Sequence, residues 1–155
     1  MARTGRGRPP APARWLDTPA GRIRFIHYLR GLDGFAVPHR TGSRDGFIVY
    51  FTLHLNGLPP RRVTIQFRRA SPSTPLVLVD GPTESPHRYP DGSLCMWFPE
   101  DPSARRWTLR DGSESLVAEI AAHLLREEWY RRTGDWVGPE VGHHRHSTAN
   151  EPEDA

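Results

Sequence analysis

From Arg62 to Arg69 the chain alternates, with Val63, Ile65 and Phe67 set against Arg62, Thr64, Gln66 and Arg68. Successive side chains of a strand point to opposite faces, so this period of two makes one apolar face and one wet face. A helix cannot satisfy the pattern; a sheet covered on one side can. The neighbouring segments agree. Phe47 to Leu55 is rich in β-branched and aromatic residues, Phe35 to His39 precedes it as a weaker strand interrupted by Pro38, and Leu76 to Val79 follows. Between them stand turn residues: Thr41-Gly-Ser-Arg-Asp-Gly, Asn56-Gly57-Leu58-Pro59-Pro60 and Ser71-Pro-Ser-Thr-Pro. Parallel strands need crossovers of a dozen or more residues, so links this short predict an antiparallel meander of four strands.

Helical signals flank the meander. Thr18 is a good N-cap and Pro19 suits a first turn. Ile23, Phe25, Ile26, Leu29 and Leu32 then form an apolar face, and Gly31 and Gly34 end the helix. Trp15 is expected to pack near its start. After the meander, Asp111 or Ser113 caps a second helix in which Leu116, Val117, Ile120, Ala121, Leu124 and Leu125 recur at helical spacing. Glu127 and Glu128 are expected to face outward, and Gly134 closes the helix. The class is α+β, in the order helix, four-stranded antiparallel meander, cysteine-bearing segment, helix.

The 155 residues suffice for one domain. Residues 1–14 are Arg, Gly, Pro and Ala without apolar periodicity and read as a disordered arm. Residues 15–142 form the domain, and 143–155 a flexible polar tail. No stretch approaches the ~20 apolar residues of a membrane span, and the Arg-rich start lacks a signal peptide's apolar core. One cysteine cannot make an internal disulfide, so nothing argues for export, and the cytoplasm is the expected compartment.

All 21 basic residues are Arg. With no lysine side chain, Schiff-base chemistry and a phosphate-loop lysine are excluded. The net charge is only +3 and the Arg residues beyond the arm are scattered, so nucleic acid is not an expected partner.

The single cysteine, Cys95, follows the polar turn Pro90-Asp91-Gly92-Ser93 and sits in the apolar run Leu94-Cys95-Met96-Trp97-Phe98. His87 precedes it by eight residues and Trp107 follows by twelve. Alone, such a cysteine reads as a small buried hydrophobe. The ordered set is more specific. The meander, His87, Asp91-Gly92-Ser93-Leu94-Cys95, Trp107 with Leu109 and the helix from about Ser113 together resemble the bacterial, divergent branch of the ubiquitin-conjugating enzymes. The ending, Glu128-Trp-Tyr-Arg-Arg-Thr-Gly-Asp-Trp-Val-Gly-Pro-Glu-Val-Gly-His, resembles members found in antiphage and conjugation operons. The resemblance covers most of residues 18 to 142.

It implies a ubiquitin-conjugating-like fold and a thioester on Cys95. A ubiquitin-like or other protein supplies the acyl group, with an activating enzyme or a signalling nucleotidyltransferase as partner. Where the family carries His-Pro-Asn, this chain has His87-Arg88-Tyr89, so the asparagine that steadies the oxyanion is missing. Thioester chemistry needs a thiolate, a donor to the tetrahedral oxygen and an acid or base near the amine. His87, Tyr89 or the backbone amides around Leu94 and Cys95 are the donor candidates, and Glu100 or Asp101 the candidate for the amine. Trp107, Trp129 and Trp136 read as core. His143, His144 and His146 meet few of the spacing demands of a zinc site, so neither metal nor cofactor is expected, although His143 or His144 could fold back near the cysteine. Two alternatives remain: a cysteine hydrolase using Cys95 and His87, and a non-catalytic protein-binding module on the same fold.

Overall fold

The computed structural model describes residues 15–38, 46–98 and 100–138. The proposed arm 1–14, the tail 143–155 with its three histidines, and most of the turn after Arg40 lie outside them. Helix α1 spans Pro19–Leu29. The Thr18 side chain accepts from the Gly21 amide at 3.2 Å, satisfying one of the amides a first helical turn leaves open. The helix ends a turn earlier than expected, and single-turn bonds from Gly31 to Tyr28 and Leu32 to Leu29 carry the chain away. Phe25 and Leu29 are buried, whereas Ile23, assigned to the apolar face, is 56% exposed.

The sheet has three strands among the described residues, not four: β1 Phe47–Leu53, β2 Arg61–Arg68 and β3 Ser71–Val79, antiparallel in the order β1-β2-β3. Val49 pairs with Ile65 and Ile65 with Val77, so the alternating apolar residues line one face. The segment from Phe35 contributes only one bridge, Ala36 to Tyr50. Pro38, without an amide proton, cannot extend that ladder. A second correction concerns Ser71-Pro-Ser-Thr-Pro, which is the first half of β3 and not a turn. A sheet edge tolerates proline because its outward positions owe no ladder bond. The link therefore shrinks to Arg69-Ala70, with a register irregularity between Gln66 and Arg68.

Helix α2, Gly112–Thr133, packs on the same core and stops at Gly134, whose φ of 82° suits a left-handed cap. Trp107 is 1% exposed and seats its ring 6.3 Å from Phe25 and 6.0 Å from Phe67. Its indole nitrogen donates to the Gly112 carbonyl at 2.8 Å, tying the loop before α2 to the core. Trp15 likewise sits 4.8 Å from Phe67 and donates to the Pro72 carbonyl at 2.6 Å. Trp129, expected in the core, is 51% exposed on α2. Among the described residues, no helix is long and apolar enough to cross a membrane.

Candidate active site

Beyond β3 the chain forms a small hairpin. Cys95 N donates to His87 O at 3.0 Å and Tyr89 N to Ser93 O at 2.9 Å, with an antiparallel bridge between Arg88 and Leu94. The turn closes through Gly92 N to Tyr89 O at 2.9 Å. Gly92 has φ of 85°, the left-handed residue that follows a tight turn and lets strand pairing resume. Asp91 pins the corner: its Oδ1 accepts from Ser93 N at 2.9 Å and Ser93 Oγ at 2.5 Å. Those bonds hold its carboxyl below the usual range. On the other flank, Leu94 N donates to Val77 O at 2.9 Å, fastening the hairpin to the edge of β3.

This geometry brings His87, Tyr89 and Cys95 together. Cys95 is 2% exposed, and burial pushes its thiol up, with a hydrogen bond to Tyr89 acting in the opposite direction. The Tyr89 hydroxyl donates its one proton to the Trp97 carbonyl at 3.2 Å. Burial raises its own pKa, reinforced by the bond to Cys95 and by the negative charges of Glu100 and Asp91. His87 meets Cys95 through its backbone, while its buried ring lies on Trp136, centroids 4.3 Å apart. The amides of Leu94 and Cys95, candidates for the oxyanion, are both already donating within the protein. Asp101 caps the turn after the cysteine, its Oδ2 accepting from Phe98 N at 3.1 Å, and Glu100 is exposed nearby. His143 and His144 lie outside the described residues.

Glu127 departs most from expectation. Placed outward by the helical reading, it is 0% exposed and grips Arg88. Arg88 Nε reaches Glu127 Oε1 at 2.7 Å and its second nitrogen reaches Oε2 at 2.8 Å, a two-pronged pair. A third guanidinium nitrogen donates to Gly92 O at 3.0 Å, inside the hairpin turn. Burial pushes the Glu127 carboxyl up, but Arg88, and to a lesser extent His123, more than reverse this and hold it at about 2. His123 Nε2 stands 3.4 Å from Glu127 Oε1 without hydrogen-bond alignment, and its ring lies 5.4 Å from Trp136. The signal was present in the sequence. His123 and Glu127 continue the stripe of Leu116 and Ile120 at helical spacing, and a carboxylate on an apolar stripe demands a buried partner.

A groove of about 430 Å³ opens beside the hairpin, bounded by Pro75 and Leu76 of β3 and by Tyr89, Leu94, Met96 and Trp97. Cys95 does not line it. Tyr89 is the link between the two, lining the groove while it acts on the Cys95 thiol.

The chain is an α+β domain with a cysteine hairpin fastened to a sheet edge and tied to α2 through Arg88 and Glu127. The family model described as Type II CBASS E2 protein matches residues 41–144, and the chain belongs to that family of bacterial antiphage operons. No curated protein and no solved structure matches the chain. The family ties it to CBASS antiphage signalling as an E2-like protein, with partners from such an operon.

Proposed function

We propose that the chain is a conjugating enzyme that carries a protein's C-terminal acyl group as a thioester on Cys95 and passes it to an amine. In loading, the Cys95 thiolate attacks the activated carboxyl carbon, a C–S bond forms and the activating group leaves. In transfer, the amine nitrogen attacks the thioester carbon, a C–N bond forms, the C–S bond breaks, and the amine proton ends on the departing thiolate. The observation that carries this reading is the hairpin that ties the one cysteine, Cys95, to His87 by a 3.0 Å backbone bond and sets Tyr89 near enough to act on its thiol. A hydroxyl near the thiol favours the thiolate over the thiol and is the candidate donor to the tetrahedral oxygen. His87 supports it by receiving the Cys95 amide and so fixing the direction of the side chain. The acyl donor is a ubiquitin-like protein or the C-terminus of another protein, loaded with an activating enzyme or a signalling nucleotidyltransferase. The domain responsible is residues 15–142.

A second reading has its own observation. A thiol 2% exposed, with its pKa raised by burial, suits a non-catalytic protein-binding module. One experiment separates the two. The protein is incubated with a short peptide α-thioester, which exchanges onto a competent cysteine without an activating enzyme, and the adduct is followed by mass. A Cys95 adduct cleaved by dithiothreitol, and discharged by free amine faster than by water, supports the conjugating enzyme. Absence of any thiol-cleavable adduct under conditions that acylate glutathione leaves the binding module.

A further inference from the structure

The Arg88–Glu127 pair joins the hairpin to α2, and its hydrogen bonds go to groups other than the Cys95 thiol. We propose that Glu127 is a positioning residue, resting on the thioester reading above: through Arg88 it sets the hairpin's height against α2 and so places Cys95 and Tyr89 for transfer.

Arg88 is bracketed by the two residues that meet the cysteine. Arg88 sends its guanidinium to Glu127 of α2, while its neighbours His87 and Tyr89 meet Trp136 and Trp97. Its side chain is 6% exposed and that of Glu127 is 0% exposed. A guanidinium cannot shed its charge, so it is buried this deeply only against an equally buried carboxylate, which makes the position of Arg88 a function of the position of Glu127. The same guanidinium then holds Gly92 O at 3.0 Å and Pro82 O at 3.5 Å, spanning the turn and the segment that enters the hairpin. Leu94 N to Val77 O fixes the other flank. The hairpin therefore has one anchor on the sheet and one on the helix, and the cysteine sits between them. Among the described residues, Arg131, 3.8 Å from Glu127 Oε2, and His123 are the other charged or titratable groups paired with the carboxylate, and Glu128 takes Arg131 at 3.1 Å.

Because a 1 Å error in placing a reacting group costs about 10²-fold in rate, a strut of this kind governs transfer as well as folding. Two variants test it. Arg88→Lys keeps the charge but has a single nitrogen, which cannot hold both Glu127 oxygens and Gly92 O together. The paired change Arg88→Met with Glu127→Leu replaces the ion pair with apolar groups, a substitution that buried pairs often accept without loss of stability. Each is loaded with the peptide α-thioester, and discharge to free lysine is timed at rising lysine concentrations, with alkylation of Cys95 by iodoacetamide measured in parallel.

The expected result is a fall of about 10²-fold in the maximal discharge rate, an unchanged lysine concentration at half-maximal rate, and faster alkylation as the hairpin loosens. A variant with native circular dichroism that discharges within about twofold of wild type overturns the positioning role. If the apolar pair does not fold, Arg88→Lys decides the matter by the same criterion. A wild type that never forms a thiol-cleavable adduct overturns the thioester reading instead, so the two failures are distinct.

Discussion

The ring of Trp136 lies on the ring of His87 with centroids 4.3 Å apart and planes inclined by 45°. Trp136 follows α2, and Gly134 at φ 82° turns the chain back so that the indole can reach the hairpin. His87 is thereby held between its own backbone bond to Cys95 and a ring delivered from the end of the last helix. Trp136→Ala should free the His87 ring. The expected outcome is a downfield move of the His87 ring-proton resonances toward exposed-histidine values, with a stability loss of about 2 kcal/mol from the half-buried indole. Unmoved resonances would show that the contact does not persist in solution.

The Cys95 thiol should alkylate slowly. Burial raises its pKa and Tyr89 partly reverses this, so the iodoacetamide rate at pH 7.5 should fall below that of glutathione. Tyr89→Phe removes the opposing bond, and the sign follows: the inflection in the rate-against-pH curve moves up. A downward move, or none, would mean that Tyr89 does not stabilise the thiolate.

Cys95→Ser should abolish transfer while leaving the fold intact. The swap is nearly isosteric, and a volume-conserving change costs within about 1.5 kcal/mol. A serine acylated by the donor would form an oxyester that survives dithiothreitol, visible as a persistent mass adduct. Retention of wild-type transfer by the serine variant would remove Cys95 from the mechanism.

Acid should loosen the hairpin's helical anchor. The Glu127 carboxyl sits at about 2 in the folded chain against 4.5 for an unperturbed glutamate. A depressed folded pKa gives stability that is present above the unfolded value and is lost as pH falls through the folded one. The loss therefore runs from about pH 4.5 down to about 2, and amounts to something on the order of 3 kcal/mol. Urea titrations across that range should show it in the wild type. In Glu127→Gln this component of the pH dependence should be absent; if the slope is unchanged, other carboxylates carry it.

Much of the fold was legible in local pattern. Thr18, Pro19 and Gly134 act through their own backbone conformations and a neighbour three or four residues away, and each is where capping chemistry put it. The period of two in β2 and the short links gave an antiparallel sheet because side-chain alternation and loop length are properties of the chain itself. The turn Pro90-Asp91-Gly92-Ser93 was legible for the same reason, and with it the position of Cys95 at the hairpin's end.

The errors share a different cause. Ser71-Pro-Ser-Thr-Pro reads as a turn, yet becomes strand because β3 is a sheet edge, where proline owes no ladder bond. The segment from Phe35 reads as a strand, yet pairs only at Ala36 because its continuation has no amide to offer. Glu127 reads as solvent-facing, yet is buried because Arg88, 39 residues earlier, arrives on the same spot. Whether a charge is outside or paired within depends on what the other elements place against it. Sequence determined the caps, the alternation of β2 and the one thiol of the chain. Only the tertiary structure decided which side of α2 meets the hairpin, and hence that a carboxylate on that helix holds the cysteine's hairpin through Arg88.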